Sequence, residues 1–254
     1  MLKDEFPRIN RLSFESLEIL RRLRYRHRLV QMRTRMRNSL QALALGSGLI
    51  LKSKLRTKHG RKKLNDLPLS PVLSQQRSGW LEMIEEVEKR IAQVEEELEK
   101  IPTGDERVRR LRTHPGIGLL TGLALVHTLS PVERFANSRK VTADIGLEPR
   151  EHSSGERKRM GHISKAGSRL LPFLLVEAGH KATREDAEMK KLYDRVLHRR
   201  ERAKAKVAVA RHLLVHAFIM LRDEIDDAEF KVRGAEKRSD ARTVDRPKVP
   251  DQAD

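Results

Sequence analysis

Apolar residues recur every three or four positions through most of the chain, a spacing that predicts a mainly α protein. The first long helix is expected to begin after Ser13, a plausible N-cap, and to end near Leu45, before Gly46 and Gly48. No stretch alternates convincingly with the period of two that is typical of strands. Further apolar helical segments are expected at residues 111–129, 168–180 and 204–221.

A regular apolar seam lies between Trp80 and Ile101, where the spacing alternates between four and three residues. This a/d repeat is typical of a coiled coil, and Pro102 ends it. We expect a coiled-coil arm that joins copies of the chain into a homo-oligomer. The alternative is one helix of an antiparallel hairpin that packs on the first long helix. The seam consists of Trp80, Ile84, Val87, Ile91, Val94, Leu98 and Ile101.

Basic residues outnumber acidic ones by 54 to 36, which gives a formal net charge of +18 and favours a polyanionic partner such as DNA. Residues 1–70 carry a net charge of +13, residues 71–106 carry −6 and residues 107–230 carry +9. This order predicts an acidic element that faces a protein partner between two elements that bind nucleic acid. A solvated helix face is the alternative for the first basic element. Its arginines are Arg21, Arg22, Arg24, Arg26, Arg28, Arg33, Arg35 and Arg37.

Several classes of protein are excluded by what the sequence lacks. No apolar run approaches the ~18 residues that a membrane-spanning helix needs, so no membrane partner is expected. The first residues, MLKDEFPRIN, do not resemble a secretory signal, and we expect a cytoplasmic protein. The absence of cysteine excludes disulfides, thiolate zinc sites and a Cys nucleophile.

The first motif is the turn THPGIG, which follows Leu111 and precedes an apolar helix. Its two glycines would allow positive φ angles and a close approach of the backbone to a phosphate. Gly116, Ile117 and Gly118 therefore form a candidate helix-hairpin-helix element that binds the DNA backbone. The alternative is a helix-to-helix turn in which glycine is needed for packing.

The second motif is Ser153-Ser154-Gly155, which lies among many cations. A serine that attacks a phosphodiester needs positive charge to neutralise the pentavalent phosphoryl group. Ser154 is therefore a candidate nucleophile, although Ser-Ser-Gly is also an ordinary turn sequence. The cations of this segment are Arg150, Arg157, Lys158, Arg159 and Lys165.

Between Leu111 and Phe230 the chain contains THPGIG, RFANSRKVTADIGLEP, SSG and GHISKAGSRLL, followed by AVARHLL. In this order the motifs resemble the C-terminal domain of the insertion-sequence-one-ten family of transposases, which is shared with the Piv DNA invertase. Residues 1–110 resemble the end of the nuclease domain and the coiled-coil arm that precede it. The resemblance implies a protein that recognises DNA with a guide RNA and recombines it.

Two active parts are implied by this resemblance. One is a serine in the C-terminal domain that attacks the DNA backbone covalently, and it corresponds to Ser154. The other is a RuvC-like domain in which four acidic residues bind Mg²⁺. The resemblance also makes Arg157, Arg159, Lys165 and Arg169 candidate phosphate contacts.

The chain departs from the family pattern at its N-terminus. The segment FPRINRLSFESLEILRRLR resembles the part of the nuclease domain that follows the acidic tetrad, so Asp4 and Glu5 receive no metal role. We expect no metal site and no cofactor in this chain, with Mg²⁺ bound only by a missing RuvC-like domain. Pro172 stands where the family usually has a basic residue, so local DNA affinity is expected to be reduced.

The expected divisions follow from these observations. Residues 1–70 form a basic helix and loop, a remnant of the end of the RuvC-like domain. Residues 71–104 form the coiled-coil arm, and residues 105–230 form the C-terminal transposase domain. Residues 231–254 are polar and contain proline, and we expect a disordered tail.

Three functional hypotheses remain at this point. The first is a transposase or recombinase fragment that needs a RuvC-like domain in trans and is inactive alone. The second is a non-catalytic nucleic-acid-binding relic or regulator of an insertion element. The third is a repair-type helix-hairpin-helix scaffold, which leaves the order of the serine and Lys-Ala-Gly motifs unexplained.

Overall fold

A computed structural model describes residues 11–48, 57–101, 105–151, 160–164 and 167–244. The chain is mainly helical over these ranges, as the apolar spacing predicts. Contacts divide it into a hairpin unit, Glu18–Ile101, and a C-terminal unit, Met1–Leu17 with Pro102–Asp254. The helices are α1 (Phe14–Gly46), α2 (Lys58–Asn65), α3 (Pro71–Lys100), α4 (Glu106–Leu111), α5 (Leu119–Leu129), α6 (Ser138–Asp144), α7 (Leu170–Glu185), α8 (Ala187–Arg199), α9 (Arg202–Arg222) and α10 (Asp227–Val244).

Polar side chains cap the helices of the hairpin unit and the start of α1. Ser13 Oγ accepts the N–H of Ser16 at 3.1 Å, which confirms the predicted start of α1. Thr57 caps α2 in the same way, and Ser70 caps α3. Pro71 follows Ser70 at the first helical position, where its missing N–H removes no helical hydrogen bond.

The apolar seam of α3 is buried inside the hairpin unit. Ile84, Val87 and Ile91 share one apolar cluster with residues of α1 and α2. The seam is thus covered within one chain, as in the antiparallel-hairpin alternative, and association of copies through a coiled coil stays a prediction. The residues of α1 and α2 in this cluster are Leu29, Met36, Leu40, Ala44 and Leu64.

The acidic face of α3 pairs with arginines of the same unit. Glu95 Oε1 accepts a hydrogen bond from Arg26 Nε at 2.8 Å, and Glu88 forms an ion pair with Arg37. Arg61 of α2 reaches Glu88 at 3.3 Å. Part of the charge that was expected to face a protein partner is therefore neutralised within the chain.

The C-terminal unit has a continuous apolar core around α5, α7 and α9. Eight of the residues of α5 are buried, and α9 buries Phe218 against Phe135 with ring centroids 6.3 Å apart. The first turn of α1 also belongs to this unit, because Ser16 Oγ lies 3.1 Å from His127 Nδ1 in the core. Burial lowers the pKa of His127, so its imidazole is neutral at pH 7.

A short strand pair interrupts the helices of the C-terminal unit. Strand β1 (Pro149–Glu151) pairs antiparallel with β2 (Met160–Ile163), and Pro149 lies opposite Ile163. A bulge lies between Pro149 and Glu151. The sequence pattern predicted no strands, because three or four residues are too few to show a period of two.

The predicted tail is helical over all of its described residues. Helix α10 continues to Val244, so residues 231–244 are not disordered as expected, and residues 245–254 lie outside the described ranges. Contacts that α10 makes with the core explain the difference. Phe230 lies on His216 with ring centroids 4.4 Å apart, and Lys231 Nζ reaches Asp186 at 3.2 Å.

Candidate nucleic-acid interface

The candidate nucleophile and four of the candidate phosphate contacts lie outside the described residues. These are Ser154 and the cations Arg157, Lys158, Arg159 and Lys165. The flanks of this segment are described, since β1 ends at Glu151 and β2 begins at Met160 directly opposite it. The backbone therefore brings the two ends of residues 152–159 side by side.

Arg150 lies on β1 and is exposed. Its Nη2 donates to the carbonyl oxygen of Ser164 at 2.9 Å, just beyond β2. The N–H of Ser164 in turn donates to the carbonyl oxygen of Glu148 at 2.9 Å. These two bonds close the base of the strand pair and leave the rest of the Arg150 guanidinium available to an anion.

Arg169 is also exposed and forms the N-cap residue of α7. The residues before it turn sharply at Gly167, which has a φ of +72°. A Cβ at Gly167 would lie 3.0 Å from the carbonyl oxygen of Asp144, so this position needs glycine for both backbone conformation and space. Pro172 lies in the first turn of α7, where its ring does not break the helix.

Glu148 connects two of the motifs electrostatically. Its Oε1 lies 3.5 Å from Arg139 Nε and 3.5 Å from an Nη of Arg211 on α9. The GLEP and AVARHLL motifs thus meet at one carboxylate, which keeps the exposed Arg139 and the half-buried Arg211 near the base of the strand pair. Glu148 and Arg211 are not among the predicted site residues.

The turn between α4 and α5 is packed more tightly than the helix-hairpin-helix interpretation requires. Of the three candidate DNA contacts in this turn, Gly116 and Ile117 are buried and Gly118 is exposed. A Cβ at Gly116 would lie 2.7 Å from Ala182 Cβ and 2.9 Å from the carbonyl oxygen of Ala178, both on α7. Neither glycine of the turn has a positive φ.

Gly116 and Ile117 are therefore core residues in this structure, and their assignment as DNA contacts stays a prediction. The packing alternative accounts for Gly116, because the turn approaches α7 more closely than any side chain would allow. Gly118 remains a candidate, since its backbone faces solvent at the start of α5.

A buried polar cluster lies beneath the same turn. Nδ1 of His114 accepts the N–H of Gly116 at 3.1 Å, so the neutral ring carries its proton on Nε2. That nitrogen lies 4.0 Å from Asp227 Oδ1. Burial lowers the pKa of His114, against the opposing charge of Asp227. Its role is therefore to shape the turn as a neutral side chain.

Lys231 supplies the positive charge of this cluster. Its Nζ lies 2.7 Å from Asp227 Oδ2 and 3.2 Å from Asp186 Oδ2. Asp186 also caps α8, accepting the N–H groups of Glu188 and Met189. Burial alone would raise the pKa of Asp186, but the Met189 amide and Lys231 outweigh burial and lower it.

In the hairpin unit, several arginines of α1 have no acidic partner. Arg28 and Arg35 are exposed, two helical turns apart, and no described carboxylate forms an ion pair with either. Arg22 and Arg24 share the lack of a described carboxylate partner. These four arginines are free of described carboxylate partners, as the predicted nucleic-acid-facing surface of α1 requires. Arg26 and Arg37 instead form ion pairs with glutamates of α3.

The described ranges offer neither a metal-binding cluster nor a membrane span. Within them, no group of three or more His, Asp or Glu side chains could hold a metal ion. No described helix is long and apolar enough to cross a membrane.

The motif-bearing part of the C-terminal unit matches a known domain. Residues 108–194 match the model of the family described as "Transposase IS116/IS110/IS902 family". Over these residues the chain is similar to that family of transposases. The sequence resemblance to the insertion-sequence-one-ten family is confirmed by this match.

Individual relatives agree with the family match. The chain is 29% identical over 183 residues to the transposase for insertion sequence element IS1111A of Coxiella burnetii, covering 68% of this chain and 48% of that protein. It is 30% identical over 171 residues to a probable family 20 transposase of Pseudomonas aeruginosa, covering 63% and 49%. It is 33% identical over 165 residues to the transposase for element IS1328 of Yersinia enterocolitica, covering 61% and 46%. The chain spans about half the length of these curated relatives.

Proposed function

We propose that this chain is the DNA-binding and strand-transferring part of an insertion-sequence transposase, with Ser154 as its nucleophile. The observation that supports this most directly is the β1–β2 pair, which brings together the two ends of the segment that contains Ser154. Arg150 on β1 and Arg169 before α7 are exposed cations on either side of that segment. The family match supports DNA as the substrate.

The proposed chemistry is transesterification at phosphorus. Ser154 Oγ loses its proton and forms a bond to the scissile phosphorus, the bond from phosphorus to the leaving deoxyribose oxygen breaks, and that oxygen takes up a proton. The result is a serine phosphodiester link between protein and DNA and one free hydroxyl end. Cations at the site stabilise the negative charge of the pentavalent transition state.

In this proposal a RuvC-like domain supplies the acidic residues that bind Mg²⁺, and a guide RNA selects the DNA site. Of the α4–α5 turn, only Gly118 contacts the DNA backbone. Association between copies of the chain uses a surface other than the heptad seam, which α1 covers.

The test is to trap the covalent intermediate. The full chain is incubated with end-labelled recombination-site DNA, guide RNA, Mg²⁺ and a separately supplied RuvC-like domain, and labelled protein is measured on a denaturing gel. We expect an adduct with the wild-type chain and with Ser153→Ala, and none with Ser154→Ala.

Other results would contradict the assignment in different ways. An adduct that persists in Ser154→Ala excludes this residue as the nucleophile. No adduct in any variant, together with salt-dependent DNA binding that Ser154→Ala leaves unchanged, favours the non-catalytic relic or regulator instead. DNA affinity that does not change with salt would contradict both functions.

A further inference from the structure

A second basic surface lies at the turn between α8 and α9. Residues 195–206 contain six arginines and lysines and one acid, Glu201. We call this the basic turn surface, and it lies beyond residues 108–194, which match the family. We propose that the basic turn surface binds the phosphate backbone of duplex DNA next to Arg169. Its members are Arg195, Arg199, Arg200, Arg202, Lys204 and Lys206.

Most of these cations are exposed and have no acidic partner. Every residue from Leu197 to Lys204 is exposed. Lys204 lies 3.7 Å from Glu201, and among the described residues no carboxylate forms an ion pair with the other five members. Such a concentration of uncompensated charge repels itself in the folded chain, so it contributes nothing to stability without an anionic partner.

The positions within the helices also argue against a purely structural role. Arg202 and Lys204 lie in the first turn of α9, where the helix dipole disfavours positive charge. Stability in this region comes instead from Ala205, which is fully buried directly after Lys204. The fold of this turn therefore does not depend on these cations.

The topology of the C-terminal unit places this surface near Arg169. Asp186 alone joins α7 to α8, and Arg200–Glu201 joins α8 to α9, while all three helices pack on one another. Helices with such short connections run antiparallel to their neighbours, so α7 and α9 run in the same direction. A Cβ added at Gly179 on α7 would lie 3.1 Å from Val209 Cγ1 on α9, so the middle of α7 packs against the first half of α9. This contact is consistent with a parallel direction of the two helices.

It follows that the α8–α9 turn and the start of α7 lie at the same end of the three helices. Helix α8 has 13 residues and α7 has 16, lengths of about 20 Å and 24 Å, so the two ends differ by about one helical turn. Arg169 precedes α7 at this end. DNA bound at Arg169 would therefore pass close to the basic turn surface.

The composition of the surface favours a duplex over a single strand. Tyr193 precedes the surface, and between Arg195 and Lys206 there is no Phe, Tyr or Trp on which a base could stack. Cations without aromatic platforms contact phosphates and do not distinguish bases. We choose duplex DNA over duplex RNA because the inference rests on the proposed function, in which DNA is the substrate.

The test compares two triple variants of the full chain that remove the same charge. One carries Arg199→Gln, Arg200→Gln and Arg202→Gln. The control carries Arg109→Gln, Lys181→Gln and Arg233→Gln, whose native side chains pair with acids elsewhere in the same unit. Binding to labelled 30-base-pair duplex DNA is measured by anisotropy at several salt concentrations, with matched duplex RNA and single-stranded DNA as further probes.

We expect the basic turn variant to bind duplex DNA at least about tenfold more weakly than the control at 100 mM salt. The magnitude of the log-log salt slope should fall by about 0.9 for each phosphate that the variant no longer neutralises, or by about 2 to 3 in total. Single variants Arg199→Gln and Arg202→Gln should each lower the slope by about one, which keeps the test decisive if the triple variant does not fold.

Equal affinity and slope in the two triple variants would overturn the inference. Loss of affinity only for duplex RNA or only for single-stranded DNA would overturn the choice of duplex DNA. The assay needs no cleavage and no Ser154, so a failed adduct experiment and a failed binding experiment are distinguishable.

Discussion

Replacing Gly116 with alanine would place a methyl group in space that α7 already occupies. The added Cβ would lie 2.7 Å from Ala182 Cβ and 2.9 Å from the carbonyl oxygen of Ala178. Carbon atoms in ordinary contact are about 3.5 to 4.0 Å apart, so the turn and α7 must separate by several tenths of an ångström. Because Ala182 and the Ala178 carbonyl belong to a packed helix, no flexible side chain can absorb this shift.

Overpacking of this kind costs about 1 to 3 kcal/mol of folding free energy. The lower chain entropy of the unfolded state offsets about 0.4 to 1 kcal/mol. We therefore expect Gly116→Ala to lower the free energy of unfolding by about 1 to 2 kcal/mol and the Tm by roughly 2 to 8 °C. DNA affinity of the folded protein should stay within about twofold of wild type, because Gly116 is buried.

Differential scanning calorimetry and DNA anisotropy measure these two effects separately. Gly118→Ala is the matched control, because no heavy atom lies within 4 Å of a Cβ added at Gly118. Its loss of stability should not exceed about 1 kcal/mol, from the poorer N-cap. If Gly116→Ala kept the wild-type Tm but weakened DNA binding tenfold, the packing explanation would be refuted and the turn would face DNA.

Two further predictions concern the two units separately. Burial, followed by the neighbouring His212 and His114, lowers the pKa of His216 from 6.5 to about 3, so the unfolded chain binds this proton more tightly. The contribution of His216 to the free energy of unfolding is therefore fully present above about pH 6.5 and is lost as the pH falls, by about 2 kcal/mol at pH 5. Urea unfolding at pH 7.5 and pH 5 measures this loss. In the hairpin unit, Ile91→Ala should cost about 2 to 5 kcal/mol, and the unfolding midpoint should not depend on protein concentration, because the seam is buried within one chain.

Controls separate these effects from general damage. His216→Leu should reduce the loss of stability between pH 7.5 and pH 5, and an unchanged loss would assign the pH dependence to other groups. Met83→Ala on the exposed side of α3 should cost less than about 1 kcal/mol. A midpoint for Ile91→Ala that rises with concentration would instead indicate that a second chain covers the seam.

Local signals in the sequence predicted the helices well. Ser13 and Gly46 mark the ends of α1 within about one residue, because caps and glycines act on the backbone nearby. The a/d spacing of α3 correctly predicted a buried seam. It could not identify the covering helix, since the apolar face of α1 and a second copy of α3 satisfy the same pattern.

Features that depend on distant residues were not predictable. From the sequence alone, a glycine at position 116 could be required for a positive φ or for close packing. The packing explanation becomes visible only with α7, which comes much later in the chain and lies against Gly116. The helical state of residues 231–244 was missed because the sequence there is polar, whereas contacts of Phe230 and Lys231 with the core stabilise it. The catalytic segment itself stays a prediction, since Ser154 lies outside the described residues.

The bridge made by Lys231 limits how this domain could be exchanged between relatives. Asp186 belongs to the matched residues 108–194, but the cation that compensates its charge comes from α10, well beyond them. A chimaera joined at the edge of the matched region would inherit the carboxylate from one parent and its lysine from another. Such a hybrid would keep this ion pair only where the second parent also has a cation at this position, so an exchanged segment that retains the pair must extend into α10.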